Sequence, residues 1–135
     1  MSLEANEDLV RRFCAAIERG DFDAPRAVCT EDFVFCNQVD TPWRGVQGLV
    51  DSEHKNFEAF ESFRFPIETL VAECDKVAAC RLFEGKGHRS DVFGVPASGG
   101  DVRLSLMMLL TIRDSRIAEK RARFDVGDIR RQFVA

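Results

Sequence analysis

Few side chains in this sequence can do acid–base or covalent chemistry near neutral pH. It holds two His, five Cys and no Tyr, so no phenol is available as an acid or an oxyanion donor. His88 closes the run Gly85-Lys86-Gly87-His88, where little bulk would block a ligand. A neutral imidazole there can donate or accept a hydrogen bond; the competing reading is an exposed His at a strand end. His54 stands among Asp51, Ser52, Glu53 and Lys55 and reads as a solvated surface residue. Asn37 shares an expected strand face with Phe33 and Phe35. An amide among phenylalanines needs hydrogen-bond partners, either a ligand or water on one side or the backbone at a strand edge. Asp125 stands where a strand gives way to a helix, a place where a carboxylate caps backbone N–H groups. The cysteines, at positions 14, 29, 36, 74 and 80, show no CxxC or Cys/His metal spacing. They read as buried reduced thiols of a cytoplasmic protein, with no metal and no cofactor expected.

The elements that must position these residues follow from periodicity. Leu9, Phe13, Ala16 and Ile17 mark one buried helix face, with Asn6 as the expected cap and Arg19-Gly20 as the stop. A short helix is expected over 23–29, a strand over 33–38 and a third helix over 46–60. Strands follow over 64–72, 76–89, 102–113 and 116–124, then a helical turn over 126–133. Helices come first and an antiparallel meander last, which argues for an α+β fold rather than a doubly wound one. If Asp114-Ser115 is a tight turn, Arg113 pairs with Arg116, Met107 faces Ala122 and Ser105 faces Phe124. Those last four then form an expected pocket wall. Leu104, Leu106 and Met108, beside Glu119, Arg121 and Arg123, form the expected outer face, a stripe suited to a homodimer contact.

The chain has 135 residues, 45% of them apolar and 31% charged, which fits one globular domain with one sizeable core. A net charge of −4 gives no reason to expect nucleic acid or an anionic membrane as partner. No signal peptide is evident, and the longest apolar stretch, 104–112, is too short to span a bilayer. Twelve Phe imply a Phe-lined interior.

Four segments carry a resemblance. ERGDFDAPRAVCTEDFVF and RGVQGL match the opening and the third-helix start of the SnoaL-like polyketide cyclase family, within the nuclear-transport-factor-2-like superfamily. GKGHRSDVFGVPASGGDV resembles its glycine-His strand and Gly-Val-Pro loop, and RDSRIAEKRARFDVGDIRRQF its final hairpin and tail. The resemblance implies a cone-shaped, curved mixed or antiparallel sheet, wrapped by N-terminal helices around a deep hydrophobic pocket and paired through its outer face. It places Asp125 at the family's acid–base position and His88 at its strand His. A carboxylate in an apolar cone would hold its proton to higher pH and could move one next to a carbonyl. Asn37, Phe35, Trp43, Lys86, Met107 and Phe124 are the expected substrate contacts. Arg121 departs from the family's aromatic at that position. Ala122 falls where related epoxide hydrolases keep an Asp, so their water-activating set is incomplete. Three readings remain open: a cyclase or isomerase acting on a small hydrophobic carbonyl compound, a non-catalytic binder of a hydrophobic metabolite, and a dimeric interaction module.

Overall fold

Leu9, Phe13 and Ile17 do what their spacing predicts, and they decide how the sheet is covered. In the computed structural model, which describes residues 2–21, 23–37 and 42–134, helix α1 spans Leu3–Glu18. Its Leu9, Val10, Phe13 and Ile17 are buried in the main core, each contributing about 2 kcal/mol by leaving water. The helix starts earlier than expected. Ser2 caps it, its Oγ accepting from the Ala5 N–H at 3.1 Å. Asn6 lies inside the helix and is buried, and its Nδ2 donates to the Cys74 carbonyl at 3.4 Å, tying α1 to a strand turn.

The remaining elements are α2 (Ala24–Val28), β1 (Cys29–Asn37), β2 (Trp43–Arg44), α3 (Val46–Glu58), β3 (Phe60–Arg64), β4 (Ile67–Glu73), β5 (Lys76–His88), β6 (Val102–Arg113), β7 (Arg116–Arg123) and α4 (Val126–Val134). The third helix stops two residues short of its expected end, because Phe60 already belongs to β3. The strand expected over 64–72 begins only at Ile67; Phe65 and Pro66 interrupt it, and Pro66 has no N–H to give a ladder. The last residue of the strand expected over 33–38 lies outside the described residues. Among the described residues the strands form one curved, unclosed sheet in the order β2-β1-β7-β6-β5-β3, with β4 also on β5. β1 runs parallel to β7, and the other pairs are antiparallel. This is the mixed α+β architecture the element order predicts.

The β6–β7 hairpin corrects the expected register. Arg113 pairs with Arg116 as predicted, and Ile112 with Ile117, but Thr111 then pairs with Glu119. Ala118 is the extra residue of a bulge on β7. One inserted residue moves every later partner by one and reverses which side chains of the facing strand accompany them. Met108, not Met107, therefore faces Ala122. The inner face of β6 carries Leu104, Leu106, Met108, Leu110 and Ile112, packed in the two cores. Met107 and Leu109 point outward, 56% and 40% exposed. The expected Met107–Ser105 pocket wall and the Leu104–Leu106–Met108 outer stripe are thus exchanged. No helix among the described residues is long and apolar enough to cross a membrane.

The thiols separate by burial. Cys14, Cys29 and Cys36 are buried, whereas Cys74 is exposed in the β4–β5 turn and Cys80 is half-buried, so the expectation of five buried thiols holds for three. Burial pushes the Cys29 thiol up to about 12 against a smaller pull from Lys120. In the native protein at pH 8, iodoacetamide should modify Cys74 first and leave Cys14, Cys29 and Cys36 intact until denaturant is added; peptide mass mapping reads this. Early loss of Cys14 or Cys29 would contradict the packing of α1 and β1.

Candidate functional site

Alternation past the bulge determines what faces the interior. Beyond Ala118, β7 turns Lys120 and Ala122 inward, and Phe124 follows the strand. These residues line a cavity with Asn37 from β1, Glu53, Asn56 and Phe57 from α3, and Leu104 and Leu106 from β6. Phe65, Phe83 and Phe93 complete the wall. The enclosed volume is about 40 Å³, a narrow interior below the usual range of small-molecule pockets, continued by a mouth open to solvent. Phe57 stacks at 4.3 Å on Phe63, and Phe93 meets Phe124 edge-on at 5.7 Å, so the walls are rigid aromatic surface.

Two charges stand in this apolar wall. Lys120 Nζ lies 3.0 Å from Glu53 Oε1, with side chains only 6% and 16% exposed. On α3, Glu53 occupies the stripe that also holds Leu49, Val50 and Phe57, which carries it to the sheet. A second pair, Arg81 with Glu18, lies nearby. Arg81 is buried, donates to the Phe65 carbonyl at 2.6 Å and stacks its guanidinium 3.5 Å above the Phe65 ring. Burial pushes the Glu18 carboxyl up, while Arg81 pulls it down less strongly. Cys14 feels both pairs: burial raises its pKa, and Arg81 and Lys120 oppose that rise.

The residues picked out from sequence do not converge on this cavity; Met107, Phe124 and Asp125 share a separate open groove with Ser105. Asn37 and Phe124 line the cavity. Asp125 does not: its side chain is 71% exposed, Oδ1 accepts the Asp128 N–H at 3.0 Å, and Arg131 sits 3.7 Å from Oδ2. It caps α4: Lys120, Ala122 and Phe124 take the inward positions, so alternation turns Asp125 outward, to the first turn of that helix. His88 is buried but lies away from the cavity, stacked on Phe133 at 4.3 Å. Its Nδ1 accepts the Ser98 N–H at 3.3 Å and lies 3.0 Å from Ser98 Oγ. The glycines before it do not open space for a ligand. A Cβ at Gly85 would stand 2.6 Å from the Phe60 ring, and Gly87 adopts φ +67°, so they accommodate the protein's own β3. Phe35 is buried in the main core and meets Trp43, itself 56% exposed, at 5.7 Å. Lys86 is exposed, 3.9 Å from Asp101, and Met107 points outward for the reason given above. His54 is exposed, 3.2 Å from Glu58, as expected.

Sequence reading missed Glu53 and Lys120. The signal was present: each is a charge at a position whose helical or alternating neighbours are apolar. On β7, Lys120 stands at alternate spacing between Ala118 and Ala122, on the face that carries Phe124.

A cone of curved sheet closed by helices over a side pocket defines the nuclear-transport-factor-2-like class, and solved structures agree. TsrD from Streptomyces laurentii superposes with a TM-score of 0.85 at 23% identity, covering 98% of this chain and 97% of that one. AclR from Streptomyces galilaeus gives 0.83 at 20%, covering 98% of each. An LEH-like epoxide hydrolase of M. tuberculosis gives 0.73 at 20%, covering 98% of this chain and 91% of its own. No curated protein matches the sequence. The family model described as SnoaL-like polyketide cyclase matches residues 7–133, and the chain belongs to that family.

Removing one partner of a buried pair strands a charge, whereas replacing both by apolar groups is often neutral. Lys120→Met should therefore cost about 3 kcal/mol in urea unfolding, and adding Glu53→Leu should restore most of the loss. A Lys120→Met variant as stable as the parent would show that the pair is solvated.

Proposed function

We propose that this protein binds a small, flat, hydrophobic carbonyl compound in the cavity between α3 and the sheet, and that Glu53 and Lys120 act on it as an acid–base pair. The reading is supported above all by one observation: Glu53 and Lys120 are the only charged side chains among the described residues lining a cavity whose other walls are apolar apart from the amides of Asn37 and Asn56. In such a wall a hydrogen bond to developing charge is worth more than in water. The Lys120 ammonium holds the carbonyl oxygen and gains strength as that oxygen becomes an enolate. The Glu53 carboxylate, 3.0 Å away, takes the proton from the neighbouring carbon and returns it elsewhere. Returning the proton to a different carbon gives isomerisation; attack of the enolate carbon on a second carbonyl carbon of the same compound, whose π pair moves to oxygen and takes the proton from Glu53, gives ring closure. This assigns to Glu53 the buried-carboxylate role expected of Asp125, which here is exposed and occupied as a cap. Asn37 and Asn56 supply neutral polar contacts along the same wall.

The proposal can be tested without the natural substrate. α-Tetralone in D₂O should exchange its α-hydrogens faster with the protein present, with saturation, as followed by proton NMR. Glu53→Gln should lower that exchange by about 100-fold, and Asp125→Asn should leave it unchanged. Saturable binding without exchange would instead identify a binder that performs no acid–base chemistry. Absence of both would remove the cavity as a site.

A further inference from the structure

We infer that Lys120 forms an imine with aldehydes and ketones that enter the cavity, Glu53 serving as its proton relay. This rests on the small-molecule reading of the cavity and names the substrate class within it. The chain has four lysines, and Lys55, Lys76 and Lys86 are exposed. Lys76 donates to Thr111 Oγ1 at 2.7 Å, and Lys86 sits beside Asp101. Lys120 alone stands in an apolar wall, with its side chain 6% exposed. A desolvated primary amine is the form of lysine that attacks carbonyl carbon.

Glu53 gives the ammonium proton a place to go, its Oε1 lying 3.0 Å from Nζ. An apolar guest that displaces water strips hydration from both charges together. Moving the proton from Nζ to Oε1, across 3.0 Å, then abolishes both charges and leaves neither one buried alone. The same pairing argues against an acidic guest, whose carboxylate would stand beside Glu53 as a second negative charge. A neutral carbonyl compound fits the cavity's charge balance.

The step balances without an outside reagent. The Nζ lone pair forms a bond to the carbonyl carbon, and the C=O π pair moves to oxygen, which takes the proton held by Glu53. Glu53 next accepts a proton from the nitrogen of this carbinolamine and delivers it to the hydroxyl. The C–O bond breaks, water leaves, and the nitrogen lone pair closes the C=N bond. The three protons of the starting ammonium end as one on the iminium and two in water, and the iminium is again paired with the Glu53 carboxylate. Nothing is oxidised or reduced. An iminium at this position takes the place of the ammonium–oxygen contact proposed above and acidifies the adjacent carbon, from which Glu53 would draw the same proton.

The test uses the whole protein with limiting hydrocinnamaldehyde and sodium cyanoborohydride, which converts an imine to a stable secondary amine, followed by peptide mass mapping. The expected result is saturable modification of Lys120 ahead of Lys55, Lys76 and Lys86, suppressed by hydrocinnamyl alcohol. Glu53→Gln should slow Lys120 modification by about 100-fold. Lys120→Arg, checked for unaltered melting, should show no adduct at that position. Adducts confined to Lys55, Lys76 and Lys86 would overturn the inference. In that event, alcohol binding that weakens in Lys120→Arg would leave the proposed function standing without the imine. Failure of the alcohol to bind would remove both.

Discussion

One extra residue on β7 governs which side chains face the interior. Ile117 must point inward, opposite Ile112, to close the end of the main core. A regular strand from there would turn Glu119, Arg121 and Arg123 inward as well, placing three charges against Leu110, Met108 and Leu106. The bulge at Ala118 prevents this. It shifts the alternation so that Lys120, Ala122 and Phe124 face the cavity, and leaves Arg121 and Arg123 exposed. A bulge also increases local twist, which helps a sheet of this size curve around a helix instead of lying flat. Through that one insertion the fold admits a single cation from β7 to its interior.

The admitted cation requires a partner. A lone ammonium in such a wall would lose hydration worth several kcal/mol, and α3 supplies the compensation by placing Glu53 on its apolar stripe. The interior repeats the solution with Arg81 and Glu18, where Phe65 contributes both a carbonyl and a ring face. The two pairs differ in what surrounds them. Arg81 spends its donors and its guanidinium face on the protein's own Phe65. Lys120 and Glu53 border the cavity. A buried pair adds little stability over apolar residues of the same volume, which is in keeping with the function proposed for it.

Much of this was legible before the structure. The stripe of α1, the length of β6, the Arg113–Arg116 turn and the order of helices before strands all follow from periodicity and breakers, because each is decided by local sequence. The family resemblance led to the same fold. The site was harder to read. Asp125 fits both a cap and an acid–base group in one dimension, and the choice depends on which face of β7 points inward. His88 is buried, yet its ring stacks on Phe133, a contact from the far end of the chain that no local pattern encodes. Side-chain bulk is absent before it because the Phe60 ring needs the space at Gly85. Glu53 and Lys120 were visible as charges out of phase with their neighbours, but the even-numbered apolar run of β6, from Leu104 to Ile112, had to be given precedence over an unbroken hairpin ladder to find them.

The central claim is the shifted register, and cross-strand NOEs between backbone protons of β6 and β7 test it most directly. The account predicts contacts linking Met108 with Ala122 and Leu110 with Lys120. Contacts linking Met107 with Ala122 and Leu109 with Lys120 would mean an unbulged ladder, a different set of inward side chains and no buried Lys120–Glu53 pair.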